Sequence, residues 1–216
     1  MSSWKTTRRI WDISQTLRSG LPVWPGDTAF AFDRTWKMED GSPVNVGRMT
    51  MSTHSGTHGD APLHYSPTAP DIASVALDPY LGECLVVDAT GVSGGTISVG
   101  DLPHIESADR VLFRTFKRFP HDAWDSNFTA IDAEPIEWLA LQGVKLVGTD
   151  APSVDPQDSK TMDAHKAVLA HDMRILEGLV LDDVPEGRYE LIALPLKIAG
   201  GDAGLTRAIL RELPND

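Results

Sequence analysis

The segment His54-Ser55-Gly56-Thr57-His58-Gly59-Asp60-Ala61-Pro62-Leu63-His64 places three of the chain's seven histidines and one aspartate within eleven residues. Imidazole nitrogens and a carboxylate suit zinc-class metals, and three such ligands leave a coordination position open for water. His54 and His58 stand four apart, the spacing of a helical zinc site, but Gly56, Thr57, Gly59 and Pro62 disfavour a helix here. A loop leaving the end of a strand is expected instead, its glycines letting side chains two and four apart converge. Asp60 has two oxygens and could hold one metal or bridge two. Thr57 could offer its hydroxyl to a ligand carboxylate and fix its orientation. His64, separated from Asp60 by Pro62, is either a fourth ligand or a free base beside the open position. Unrelated surface or core histidines are the plain alternative, which suits one histidine better than three with an aspartate among glycines.

A second group lies about a hundred residues on, where residues 163–178 carry His165, His171 and Glu177. On one straight helix His165 and Glu177 would stand ~18 Å apart. If the helix stopped near Asp172, five extended residues at ~3.3 Å each would bring Glu177 back beside His165, at the start of an apolar strand over 179–181. Spacing leaves this as one possibility among several, the plain one being a helix-end histidine and an exposed glutamate. His171, about 240° round the helix from His165, faces elsewhere.

These residues must be positioned by a scaffold, and its elements are partly legible. Alternation or apolar runs predict strands over residues 44–51, 85–88, 111–116, 144–147 and 191–196. Helices are expected over 133–142, stopped by Gly143, and over 163–172, with Asp163 as the N-cap. Residues 204–213 could be a helix or a final strand. Strands outnumber helices and mix with them, so the fold class is α/β, a single strand-rich domain over residues 1–216.

At 216 residues the chain can bury one sizeable core, and 41% hydrophobic with 23% charged residues is ordinary for a globular protein. A net charge of -12 repels phosphate backbones and anionic lipid, which argues against nucleic-acid and membrane-surface partners. No apolar run follows the N-terminus and none approaches the ~20 residues of a membrane span, so a cytoplasmic enzyme is expected. Cys84, the lone cysteine, is expected to pack in a strand. Asp150 and Asp155, next to Pro152 and Pro156, suit capping and turn roles. Trp24, at a Pro-Gly turn, reads from its neighbours alone as a core residue.

The eleven-residue segment resembles the H-x-G-T-H-x-D-x-P-x-H motif of the cyclase-like metal-dependent hydrolase family. Three further stretches resemble its bacterial kynurenine formamidase branch: Pro22-Val23-Trp24-Pro25-Gly26-Asp27, Gly148-Thr149-Asp150-Ala151-Pro152-Ser153-Val154-Asp155-Pro156, and Glu190-Leu191-Ile192-Ala193-Leu194-Pro195-Leu196-Lys197-Ile198. The likeness runs from about Trp11 to Leu210. It implies a swivelling β/β/α fold, a cytoplasmic homodimer and two zinc ions per chain, with other divalent metals possible. It implies that His54, His58 and Asp60 hold one metal and that Asp60 bridges to a second held by His165 and Glu177. His64 would transfer protons and Trp24 would line the substrate pocket. The implied reaction is hydrolysis of N-formyl-L-kynurenine to L-kynurenine and formate, in tryptophan degradation. Residues 200–206 depart from the family, which tends to have a Ser-Pro pair there, and this leaves the pocket rim open. A relative opening a cyclic amide such as isatin would share every ligand, and a non-catalytic metal-binding protein would need no extra base such as His64.

The residues suit that chemistry. A metal lowers the pKa of water towards ~7 and polarises a carbonyl. An imidazole with an ordinary pKa of ~6.5 can then pass a proton to the leaving nitrogen.

Overall fold

The computed structural model describes residues 8–92, 95–103, 105 and 107–214. In chain order the first strands are β1 (Ile10–Asp12), β2 (Ala31–Trp36), β3 (Val46–Thr50), β4 (His58–Asp60), β5 (Leu81–Asp88) and β6 (Thr96–Ile97). They continue with β7 (Arg110–Arg114), β8 (Ala130–Ile131), β9 (Leu146–Thr149), β10 (Arg174–Glu177), β11 (Gly187–Ile192), β12 (Ala203–Leu205) and β13 (Ile209–Arg211). Helix α1 (Ala133–Leu141) precedes β9, and α2 (Asp163–Ala170) precedes β10.

Nine strands form one sheet in the order β1-β13-β11-β5-β7-β9-β10-β4-β12. The run β5, β7, β9, β10 is parallel, and the flanking pairs are antiparallel. The sheet cannot be flat. Strands β13 and β12 are seven steps apart in that order, about 34 Å at ~4.8 Å per step. Yet Leu205 and Ile209 are four residue steps apart in the chain, which reach at most about 14 Å. The sheet therefore curls until its ends approach, and a hydrogen bond from Thr206 to Thr57 ties the β12 connection to the start of β4.

Alternation along the strands divides the apolar residues between two cores. Cys84, Val86, Leu112, Leu146 and Leu176 point into the curl, around Tyr80 and Leu191. Val87, Val111, Phe113, Val147 and Ile175 point outward, under α1 and α2. Burying both faces explains why these strands are apolar without clean alternation of polarity.

Several expectations need correction. The strand expected at 191–196 is β11, Gly187–Ile192, and Leu194 and Leu196 beyond it are exposed. Residues 179–181 are not a strand; the strand is β10, and Glu177 ends it instead of preceding it. The C-terminal segment resolves as β12 and β13, with no helix. Asp163 is the first residue of α2, not its cap, which is Met162 in a left-handed conformation. The N–H groups of Ala164 and His165 are instead satisfied by the Asp155 carboxylate from the preceding loop. The strand expected over 44–51 is β3, Val46–Thr50, but it pairs only with β2, as a hairpin outside the main sheet.

A candidate metal centre

The residues 58–60, read from the sequence as loop, form the short strand β4, inserted between β10 and β12. This changes how His58 and Asp60 converge. Residues two apart on a strand share a face, so no glycine-rich turn is needed to bring them together. Register then fixes which face. His58 lies opposite Glu177, and Asp60 lies opposite Ile175, on the outward side covered by the helices. Gly59, between them, faces the curl, where an added Cβ would stand 3.2 Å from Tyr80.

Helix α2 ends at Ala170, and β10 returns antiparallel to the helix direction, so Glu177 comes back beneath His165. His171 at the helix end is exposed and takes no part. Gly178 must follow Glu177 closely. It has a φ of +62°, and an added Cβ would sit 2.6 Å from the Gly56 carbonyl oxygen.

The result is a buried cluster. His54 Nδ1 is 3.1 Å from Asp60 Oδ1, and His58 Nε2 is 3.4 Å from the same oxygen. His165 Nε2 is 3.4 Å from Asp60 Oδ2, so the carboxylate presents one oxygen to each group. Glu177 reaches both sides, with Oε2 3.5 Å from His58 Nε2 and Oε1 3.9 Å from His165 Nε2. Asp60 is wholly buried, yet both of its oxygens lack a hydrogen bond, as do His58 Nε2 and His54 Nε2. Leaving such groups unsatisfied is costly. The separations are instead close to those of metal ligands: donors ~2.0–2.2 Å from a tetrahedral metal lie about 3.3–3.6 Å from each other. The residues present fit a metal.

Two of the histidines are turned to present Nε2. His58 Nδ1 donates to the Gly56 carbonyl at 3.0 Å, and His165 Nδ1 donates to Asp155 Oδ2 at 2.6 Å. Such outer contacts orient ligand imidazoles. Thr57 was expected to steady a ligand carboxylate and does not; its hydroxyl donates to the Gly178 carbonyl at 2.7 Å and accepts the Gln15 N–H. Asp150 also stays outside the cluster. It accepts hydrogen bonds from the N–H groups of Thr115 and Phe116 and the Thr115 hydroxyl, while burial pushes its pKa up to about 6.

Charge balance in the cluster is set by competition. Burial alone would lower the His58 pKa, but the carboxylates of Asp60 and Glu177 outweigh it and push it up to about 10. Burial is likewise overcome at His165 by Asp155 and Asp60, giving about 10. Burial opposes the charge of Asp60 too, yet His165, His54 and His58 hold its pKa well below the usual carboxylate range. The carboxylates thus favour the protonated imidazoles, with which a metal would compete, so metal affinity is expected to rise with pH.

His64 closes a short 3₁₀ turn, Pro62–His64, with Pro62 at its start. Its ring lies 4.1 Å from that of His54 and 5.7 Å from that of His165, centroid to centroid. Its donor atom lies within 4.8 Å of atoms on Asp60 and His165. Desolvation lowers its pKa from the ordinary value, which favours the neutral, proton-accepting imidazole.

The cluster forms the floor of a cavity of about 320 Å³, whose walls include Trp24, Phe116, Phe119 and Trp124. Trp24 sits on the turn at Gly26 and packs edge-on against Trp124, with centroids 5.4 Å apart, and against Phe128 at 6.4 Å. It is thus both a packed residue and a cavity wall. Trp124 of the cavity wall and Asp202, whose Oδ2 lies 3.4 Å from His54 Nε2, carry no signal in the sequence, for they lie far from the motif and have no spacing pattern of their own.

The Cyclase family model matches residues 11–156. A protein of Erythrobacter litoralis named kynurenine formamidase is 78% identical over 215 residues, covering 100% of this chain and 99% of that one. The chain belongs to the cyclase family, in its kynurenine formamidase branch. A Maricaulis maris member of the same name is 59% identical over 208 residues, covering 95% of this chain and 99% of its own. The family fold is also seen in a solved structure described as a predicted metal-dependent hydrolase from Bacillus stearothermophilus. It superposes with a TM-score of 0.83 at 30% identity, covering 96% of this chain and 100% of the other. Among the described residues no helix is long and apolar enough to cross a membrane.

Proposed function

We propose that this protein hydrolyses N-formyl-L-kynurenine to L-kynurenine and formate, a step of tryptophan degradation, using two zinc-class ions per chain. The observation that carries the reading is a set of buried, unsatisfied metal-ligand atoms opening into an aromatic cavity. Full-length relatives named kynurenine formamidase supply the substrate class.

His54, His58 and Asp60 would hold one ion, and Asp60, His165 and Glu177 the other. A bound metal lowers the pKa of water and polarises the formyl carbonyl, so that attack becomes possible at neutral pH. His64 accepts the proton from the attacking water and returns it to the arylamine nitrogen as the C–N bond breaks. Trp24 and Trp124 offer flat apolar walls to the aryl ketone. Asp27 and Asp125 line the cavity and would pair with the α-ammonium group of the substrate, whereas no lysine or arginine lines it among the described residues to meet the α-carboxylate.

Trp24→Ala should lower kcat/KM for N-formyl-L-kynurenine while leaving metal content unchanged. Loss of stacking alone is worth ~0.5–1.5 kcal/mol, roughly a two- to tenfold effect. A folded variant with parental kinetics would return Trp24 to a purely structural role. Formate release from N-formyl-L-kynurenine, measured beside ring opening of isatin, tests the reaction itself. Preference for isatin would replace the linear substrate with a cyclic amide.

We also propose a homodimer. The hairpin of β2 and β3 exposes Phe32, Trp36, Val46 and Met49, and Met38 and Val44 lie exposed between its strands. Such a patch is unusual on a monomer, and a second copy would cover it. Sedimentation equilibrium should return twice the 23.5 kDa chain mass, and the single-chain mass would refute the dimer. A cytoplasmic setting accords with the buried free thiol of Cys84, and recovery from the secreted fraction would contradict it.

A further inference from the structure

His54 differs from the other two histidines of the cluster. His58 and His165 turn Nε2 towards Asp60, and each places Nδ1 against an acceptor. His54 turns Nδ1 towards Asp60, so its outer nitrogen is Nε2, which is buried and has no hydrogen-bond partner. A neutral imidazole that uses one nitrogen as a ligand carries its hydrogen on the other. That N–H needs an acceptor. The carboxylate facing it is Asp202, with Oδ2 3.4 Å from His54 Nε2.

Asp202 is itself firmly placed. Its Oδ1 accepts the Thr53 hydroxyl at 2.8 Å, from the residue just before His54. Its main-chain carbonyl accepts the Ala61 N–H at 2.9 Å, just after Asp60. The next residue, Ala203, pairs with Asp60 across β12 and β4. The segment bearing Asp202 is therefore stitched to both ends of the ligand-bearing stretch.

We infer that Asp202 is a positioning residue that accepts the His54 Nε2 hydrogen and holds this imidazole with Nδ1 towards the metal. Each histidine of the cluster then has its own outer acceptor: the Gly56 carbonyl for His58, Asp155 for His165 and Asp202 for His54. The inference rests on the cluster being a metal centre, and it is tested by metal affinity, independently of the reaction.

Purified protein is stripped of metal and titrated with Zn²⁺ against a chromophoric chelator, and with Co²⁺ by its visible spectrum. Asp202→Ala should weaken the ion held by His54 about 10–100-fold, the usual cost of removing an outer partner of a ligand histidine, and alter the Co²⁺ bands. Asp202→Asn, which keeps an acceptor oxygen, should recover most of that affinity. Thr53→Val, which only loosens Asp202, should move affinity in the same direction by less, and it serves should Asp202→Ala fold poorly. Parental affinity and spectrum in both Asp202→Ala and Thr53→Val would overturn the inference. So would a fall in turnover with metal binding unchanged, which would assign Asp202 to His64 or substrate. If the parent binds neither ion, the metal-centre reading fails first, and the two failures are thereby distinguished.

Discussion

His64→Ala should keep its metal near the parental level, fold normally and turn over ~10²–10⁴-fold more slowly, the usual contribution of a positioned acid–base group. Two features of the site support this division between proton transfer and metal holding. Pro62 opens the tight turn that His64 closes, so the side chain is delivered to the cavity from a stiff segment. There desolvation lowers its pKa from the ordinary value although the residue is exposed, which favours the neutral imidazole that can accept a proton. The histidines that face Asp60 and Glu177 behave oppositely, since carboxylates raise them. The geometry also brings His64 within ligand range of Asp60 and His165, so the measurement has two live outcomes. Elemental analysis decides between them: metal lost from His64→Ala as fully as from His54→Ala would make His64 a ligand and require another base.

Metal removal should have the larger effect still. Parent protein is expected to contain two zinc-class ions per chain, to lose activity to background with a chelator and to regain it on adding metal back. His165→Ala and Glu177→Gln should each hold clearly less metal than the parent, while His54→Ala should lose metal and activity together. The reason lies in the two oxygens of Asp60, one facing His54 and His58 and the other facing His165. His165→Ala also removes the imidazole facing Asp60 Oδ2 and the ring N–H that Asp155 accepts, which destabilises. Glu177→Gln is the gentler probe, because an amide can still accept the Val154 N–H that Glu177 Oε1 accepts at 2.8 Å. One ion per chain in the parent would reduce the centre to a single-metal hydrolase.

Residue types and local spacing were enough to read the chemistry of the motif. Three imidazoles and a carboxylate in eleven residues among glycines point to a metal wherever they are folded, because few other arrangements need that composition. The helices were legible through their apolar spacing and the Gly143 stop, whereas the return of Glu177 beside His165 was only one of several possibilities that spacing left open. The family motif added what spacing cannot supply, a substrate and the expectation of a second metal. Tertiary structure decided the rest. That His58 and Asp60 lie on a strand depended on β10 and β12 being there to flank it, since three residues containing a glycine carry no strand signal. Which way those side chains face followed from register against Glu177 and Ile175, a property of pairing and not of the segment. The acceptors behind the histidines, Asp155 and Asp202, came from other loops and could be found only once the chain had folded. Ligand identity is local chemistry, but ligand orientation depends on long-range pairing. Such pairing leaves no periodicity in the sequence that encodes it.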